Sequence, residues 1–331
     1  MSPNREKEKK IFLDNFKYAK AKRTLIAGDA SYRKYERLLL DNKKTLILMD
    51  APPDYEDIKP FLSIAKYLRQ LGLSAPKVFH YDTVNGFILL EDFGDATYTR
   101  ILNQNYNEET LYELATDVLI KLHSSVDKKT MPDCIKTFSR ERIINEISLI
   151  NDWYIPLKGK SHLDQSAKDE YIEIWNNLIP YSQLVDSSII LFDYHVDNLL
   201  LLEKRISYKA CGILDFQDAT YGPITYDLMS LLEDARRNVE PKIIEKMKLR
   251  YLSSYPEINK ENFEVSWAIM SAQRHLRVLG TFARLNLRDS KTQYMEHIPR
   301  LWRYMDKCLK HPVLSRLKHW IDTNIESRIR V

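Results

Sequence analysis

Leu191-Phe192-Asp193-Tyr194-His195-Val196-Asp197-Asn198 is the stretch on which the reading of this chain turns, together with Leu214-Asp215-Phe216-Gln217-Asp218. Apolar runs flank both. Ser188 to Phe192 leads into the first, and Leu199 to Leu202 and Ala210 to Leu214 lie between them, so each acidic site directly follows a short predicted strand. Asp193 and Asn198 stand in D-x-x-x-x-N spacing, and Asp215 comes 17 residues after Asn198. Phosphoryl transfer asks for such a set. One carboxylate accepts the proton of the attacking hydroxyl, an amide oxygen holds Mg²⁺, and a second carboxylate bridges the metal to the phosphates. A lone Asp and Asn at this spacing equally fit two loop turns. The strand before each acidic site, the hairpin-length interval and the β-rich segment upstream favour the chemical reading. Within the loop, Asp193 is the better base. His195 fixes loop shape by hydrogen bonds or faces substrate, and Asp197 is structural or faces substrate. His195 has no second histidine at metal-site spacing, so zinc is not indicated.

Working outward, the first ~95 residues read as a small antiparallel sheet with a helix across it. Ile11 to Arg23 has helical spacing. Thr24 to Ile26, Tyr32 to Leu40, Lys44 to Asp50, Lys77 to Tyr81 and Phe87 to Glu91 read as strands, and Ile58 to Leu71 as a helix capped by Gly72. After Asp92-Phe93-Gly94-Asp95 the pattern turns helical: 108–122, 139–153, 168–179, 226–237, 241–252, 263–287, 295–309 and 312–325. The expected architecture is α+β and two-lobed like a protein kinase. A small antiparallel β N-lobe (1–92) would bind nucleotide, and a larger, mainly helical C-lobe (93–331) would carry catalysis and substrate.

Composition narrows the alternatives. Of 331 residues only 8 are glycine, against roughly 23 at an average usage of about 7%. Neither G-x-G-x-x-G nor G-x-x-x-x-G-K-[ST] can be written anywhere, so dinucleotide-fold and P-loop cradles are excluded. Net charge is +4, from 50 Lys plus Arg and 46 Asp plus Glu, with the signs interspersed. That is not the basic stripe of a nucleic-acid protein. Three scattered cysteines form no metal or disulfide pattern, and no apolar run reaches membrane-spanning length. A cytoplasmic protein acting on a small molecule is expected, with neither nucleic acid nor membrane as partner.

Leu191 to Asn198, Gly212 to Ala219, Tyr221-Gly222-Pro223 and Tyr226-Asp227-Leu228 together resemble the aminoglycoside phosphotransferase-like kinase superfamily. Three further stretches resemble its branch of bacterial cell-wall recycling kinases, which phosphorylate N-acetylmuramate and N-acetylglucosamine at the anomeric hydroxyl. They are Ala27 to Tyr35, Leu48 to Pro53 and Gln273 to Leu285. The resemblance spans roughly residues 11 to 320. It implies ATP and Mg²⁺ as cofactors, an amino sugar as acceptor, Asp193 as base, and Asn198 and Asp215 as metal ligands. Gly28 to Ser31 would be the turn over the phosphates, with Gly28 and Ser31 contributing, or a plain hairpin turn. Glu91 to Phe93 would be the hinge that reads adenine, or a simple linker. An aminoglycoside, choline or homoserine acceptor remains open, as does a nucleotide-binding regulatory module.

The chain departs from the pattern twice. Phe192 stands before Asp193, where relatives carry Arg or Gly. No lysine stands near Met49, where related kinases place the lysine that holds the α/β-phosphates. Arg33 and Lys34 are the substitutes, unless both are solvated strand charges. On the substrate side, Arg274, Arg277, Arg284 and Arg288 share one face of a predicted helix. They form either a salt-bridged outer face or, through one or two of them, a carboxylate site. Trp267, Tyr294, Trp302 and Tyr304 are either core or sugar-stacking aromatics.

Overall fold

The computed structural model describes residues 3–28, 32–159 and 163–330. In chain order the elements are α1 (Pro3–Asn15), β1 (Lys22–Gly28), β2 (Lys34–Leu39), β3 (Thr45–Asp50), α2 (Lys59–Gln70), β4 (Val78–Asp82), β5 (Phe87–Glu91), α3 (Tyr98–Leu102) and α4 (Glu108–Ser125). There follow α5 (Arg140–Leu149), a π-helical turn (Ile150–Tyr154), α6 (Ile155–Leu157), α7 (Gln165–Ser182), β6 (Ser187–Ile190), β7 (Leu199–Leu201), β8 (Cys211–Ile213) and β9 (Thr220–Pro223). The rest is helical: α8 (Thr225–Leu232), α9 (Pro241–Ser253), α10 (Lys260–Asp289), α11 (Ile298–Cys308) and α12 (Ser315–Asn324). The chain divides into two compact units. One is Met1–Cys134 with Asp197–Asp218, the other Ile135–Val196 with Ala219–Val331.

The first unit is built on an antiparallel sheet of order β1-β2-β3-β5-β4. Strand alternation gives it two distinct faces. Leu38, Leu46, Leu48, Phe87 and Leu89 point to one side, where they meet Phe12 and Leu13 of α1. Tyr35, Arg37 and Ile47, on the alternate positions, line a cavity. α2 begins with Pro in its first turn and ends at Leu71. Gly72 follows at φ +85°, a conformation glycine adopts without strain.

The first helix lies earlier than its apolar spacing indicated. It spans Pro3–Asn15 rather than 11–23, and residues 22–28 are strand. The face that α1 buries is partly charged. Lys9 is fully buried, with Nζ 2.5 Å from Glu36 Oε1, 2.9 Å from Glu6 Oε1 and 3.0 Å from Asp50 Oδ2. Arg5 bonds Asp50 (Nη2–Oδ1 2.6 Å) and lies 4.0 Å over the Phe87 ring. A helix docked by buried ion pairs carries no apolar period over those turns, so the pattern shows only its C-terminal half.

The second unit is organised around α10, a 30-residue helix whose N-cap Asn259 accepts the Asn262 N–H at 2.9 Å. It packs against α5, the π-helical turn, α7, α8 and α11. Trp267 and Trp302 are core, 6% and 2% exposed. The β6–β9 pair runs antiparallel from Ser187↔Pro223 to Ile190↔Thr220. Strand β9 escaped the sequence reading because Thr-Tyr-Gly-Pro holds both residues that usually end strands. Antiparallel sheet in one unit and helices dominating the other make the fold class α+β. No helix among the described residues is long and apolar enough to cross a membrane.

Candidate active site

Strands β7 and β8 pair as Leu199↔Ile213, Leu200↔Gly212 and Leu201↔Cys211. The Leu214 N–H donates to the Asn198 carbonyl at 2.9 Å, so the hairpin closes at the two residues that flank it. Asn198 Nδ2 then lies 3.4 Å from Asp215 Oδ2. Asp215 takes a left-handed backbone (φ 57°), and Gln217 Nε2 donates to its Oδ1 at 2.9 Å. Gln217 braces the carboxylate from its own loop. Phe216 stacks on Phe61 of α2 with centroids 4.9 Å apart.

Asn198 and Asp215 open into a cavity of about 380 Å³. Ile26, Ile47, Leu90 and Leu200 give it apolar walls, and Glu91, Phe93 and Gly94 line it as well. Phe93 lies against Gly212, where an added Cβ would come within 2.9 Å of its ring, so glycine is the residue that lets the aromatic seat there. Arg37 holds the following segment in place. Its Nε and Nη2 donate to Asp92 at 2.6 and 3.0 Å, and Nη1 reaches Asp95 at 3.0 Å. Burial pushes the Asp92 carboxyl up, but the Arg37 bonds and the Gly94 N–H outweigh it and hold the group below the usual range. The Glu91 side chain is engaged by Arg205 (2.5 Å) and its N–H by the Lys77 carbonyl (2.8 Å).

Gly28 pairs with Lys34 at the end of β1, while Ser31, with Asp29 and Ala30, lies outside the described residues. Arg33 reaches into the site, with Nη1 3.7 Å from Asp215 Oδ1 and Nε 3.6 Å from Glu56 Oε2. Asp197 turns away to α3, where Thr99 Oγ1 donates to its carboxylate. The Asn198–Asp215 pair suits a hard cation. Among the described residues no cluster of three or more His, Cys, Asp or Glu is arranged for a metal. A carboxylate with an amide oxygen is nevertheless what Mg²⁺ takes from a protein when phosphates and water complete its shell.

In the second unit, Asp193 follows Phe192, which has φ 76°. The strain of that conformation is held from below. The Leu191 and Phe192 N–H groups donate to the buried carboxylate of Asp227 at 2.5 and 3.0 Å. Burial, opposed by those two bonds and reinforced by the Asp193 charge, pushes Asp227 up to about 7. Asp227 was quoted in the sequence within Tyr226-Asp227-Leu228, but nothing there signals that it anchors this loop.

The Phe192 ring stacks on Tyr226 (5.3 Å, 4°), and the guanidinium carbons of Arg142 and Arg277 each lie 4.1 Å from its centroid. Arg277 Nη2 is 3.4 Å from Asp193 Oδ1. The aromatic that replaces Arg or Gly is therefore a platform for an arginine beside the candidate base. His195 is 6% exposed. Burial, and then Arg236, Arg274 and Arg277, hold its pKa well below the usual histidine value. The imidazole is therefore held neutral in that field.

The arginines of α10 separate. Arg274 is buried, with Nη1 3.3 Å from the Glu233 carbonyl, and Arg277 faces Asp193. Arg284 is partly buried, and Arg288 pairs with Asp289 at the surface (2.8 Å). The Glu233 carboxylate collects Trp267 Nε1 (3.0 Å), Ser271 Oγ (2.5 Å) and His275 Nε2 (3.0 Å).

A two-unit α+β chain with a D-x-x-x-x-N loop, a hairpin and a second acidic turn defines a kinase-type phosphotransferase. The chain belongs to the phosphotransferase enzyme family, whose profile matches residues 22–260. It is 32% identical over its whole length to the N-acetylmuramate/N-acetylglucosamine kinase of Caulobacter vibrioides, covering 99% of that protein. It is also 32% identical, over 85% of this chain and 84% of the relative, to the enzyme of the same name from Neisseria meningitidis serogroup B. Among solved structures, choline kinase LicA from Streptococcus pneumoniae superposes with TM-score 0.63 at 15% identity, over 93% of this chain and 100% of that one. The GDP complex of aminoglycoside 2'-phosphotransferase-IIIa gives TM-score 0.63 at 14% identity, over 92% and 99%. At such identity these two establish the fold alone.

Proposed function

We propose that the protein transfers the γ-phosphoryl group of ATP, with Mg²⁺, to the anomeric hydroxyl of N-acetylmuramate or N-acetylglucosamine in the cytoplasm. The observation that carries this reading is the full-length, 32% identity to a kinase named for those two sugars. The lobe division at residues 92 and 93 belongs to the same proposal, with nucleotide on the N-terminal side.

In this mechanism Asp193 orients the sugar hydroxyl and accepts its proton as the new P–O bond forms and the bond to the leaving ADP oxygen breaks. Arg277, 3.4 Å from Asp193, keeps that carboxylate aimed. Arg277 supplies the substrate-side cation of α10, with Arg284 further along the helix, while Arg274 is buried on the Glu233 carbonyl; His195 and Asp197 shape the loop or face substrate. Asn198 and Asp215 would hold the metal, which supplies charge neutralisation on the phosphate oxygens. Arg33 adds a fixed cation there, Gly28 and Ser31 belong to the turn over the phosphates, and Glu91 to Phe93 present backbone to the base.

³¹P NMR of a reaction containing ATP and N-acetylmuramate tests the reaction; an anomeric phosphate is expected. Asp193→Asn should lose turnover while still binding nucleotide by calorimetry. Normal turnover in that variant removes Asp193 from the role of base.

A further inference from the structure

Nothing at Met49 supplies the cation that kinases of this class place on the central strand, yet the structure offers a different one. The sheet decides which basic residues qualify. β2 and β3 pair as Lys34↔Asp50, Tyr35↔Met49, Glu36↔Leu48 and Arg37↔Ile47. Paired residues point the same way, and neighbours along a strand point oppositely. Met49, Tyr35, Ile47 and Arg37 therefore share the cavity face. Lys34 lies on the other face, the α1 side, and is exposed. Lys9 is on that far side too, surrounded by Glu6, Glu36 and Asp50. Arg33, two residues before Tyr35, continues the cavity side, and its ion pair with Asp215 bears this out.

Arg33 is 10% exposed and is held from the loop that follows β3. Glu56 makes two contacts to the same short segment. Oε2 is 3.6 Å from Arg33 Nε, and Oε1 accepts the Tyr32 N–H at 3.3 Å. Beside them the Tyr32 and Tyr55 rings stack at 4.2 Å and 17°. The chain leaving residue 31 is thus pinned at its backbone, its ring and its guanidinium by two adjacent residues. Arg33 Nη1 lies 3.7 Å from Oδ1 of Asp215, on the carboxylate proposed to hold the metal. A planar guanidinium carries five donors and suits phosphate oxygens in a forked geometry.

We propose that Glu56 is a positioning residue that sets Arg33 as the phosphate-binding cation, in place of the strand lysine, with Tyr55 locking the segment against Tyr32. This rests on the nucleotide-kinase reading above. Glu56 touches no substrate. It acts through Arg33, and the pair does the work of the strand lysine from just outside the sheet.

The test is calorimetric binding of ATP and of ADP, with steady-state kinetics, on Arg33→Met, Glu56→Gln, Glu56→Asp and the Arg33→Met/Glu56→Gln double variant. Glu56→Gln keeps an acceptor for the Tyr32 N–H but loses the charge. It should weaken nucleotide binding and raise the KM for ATP by about tenfold, the scale of one charge-assisted hydrogen bond, with the KM for the sugar unchanged. Arg33→Met should do the same, the double variant should be no worse than the single ones, and Glu56→Asp should recover part of the affinity. Wild-type nucleotide affinity in a folded Glu56→Gln variant, or a loss in the double variant equal to the product of the single losses, overturns the proposal. A wild-type protein that binds no ATP would instead sink the kinase reading.

Discussion

At the residue scale, the site depends on backbone held in conformations that ordinary residues resist. Phe192 at φ 76° and Asp215 at φ 57° are both left-handed, and each sits at a candidate functional carboxylate. Asp227 compensates the first by accepting two N–H groups from 35 and 36 residues away. Asp227→Asn leaves one of those donors facing an amide NH₂. It is expected to cost about 1–3 kcal/mol of stability and to lower kcat with little change in the KM for ATP, since Asp193 is displaced. Chemical denaturation and steady-state kinetics read both effects; an unchanged kcat would show that the loop keeps its shape without the anchor. Asp193, Asn198 and Asp215 stand out as candidates in the sequence because their pattern lies in their own spacing. Asp227 and Glu56 were not, because each acts on backbone or side chains that only folding brings to it.

At the element scale, α10 shows how a helix can be placed by what it lacks. A Cβ on Gly280 would lie 2.4 Å from the Leu149 carbonyl carbon and 2.6 Å from its oxygen. In a free helix Gly→Ala stabilises by roughly 1 kcal/mol. Here Gly280→Ala meets rigid backbone at the junction of α5 and the π-helical turn, so it is expected to lower Tm instead. A raised Tm would mean that the junction yields. α10 was readable from its period over 263–287, and its charged face was not. Arg274 and Arg277 look like surface residues by offset, but Arg274 is buried against Glu233 and Arg277 half-buried against Asp193, which no helical period reports. The same limit displaced α1, where Lys9 and Arg5 do the docking that apolar residues usually do.

At the scale of the whole molecule, buried titratable groups in the second unit set opposing slopes in stability against pH. His195, His275 and His297 all have lowered pKa values, burial being the first cause for each. As pH falls below 6.5 the unfolded chain takes up protons at these positions that the folded one refuses. Their stabilisation is present above 6.5 and is lost as pH falls toward the folded values. Asp227 acts in the other direction. Raised to about 7, it holds a proton in the fold that the unfolded chain releases near 3.8, so its contribution is full below 3.8 and lost as pH rises through 7. Between pH 5 and 6.5 the histidines therefore raise stability with pH and Asp227 lowers it. Removing buried His195 takes away part of the upward slope in that window. His195→Gln should therefore flatten the urea-denaturation profile over pH 5 to 6.5, and Asp227→Asn should steepen it. Equal slopes in wild type and His195→Gln would mean that His195 is protonated in the fold, and the arginine field around it would then have to be screened.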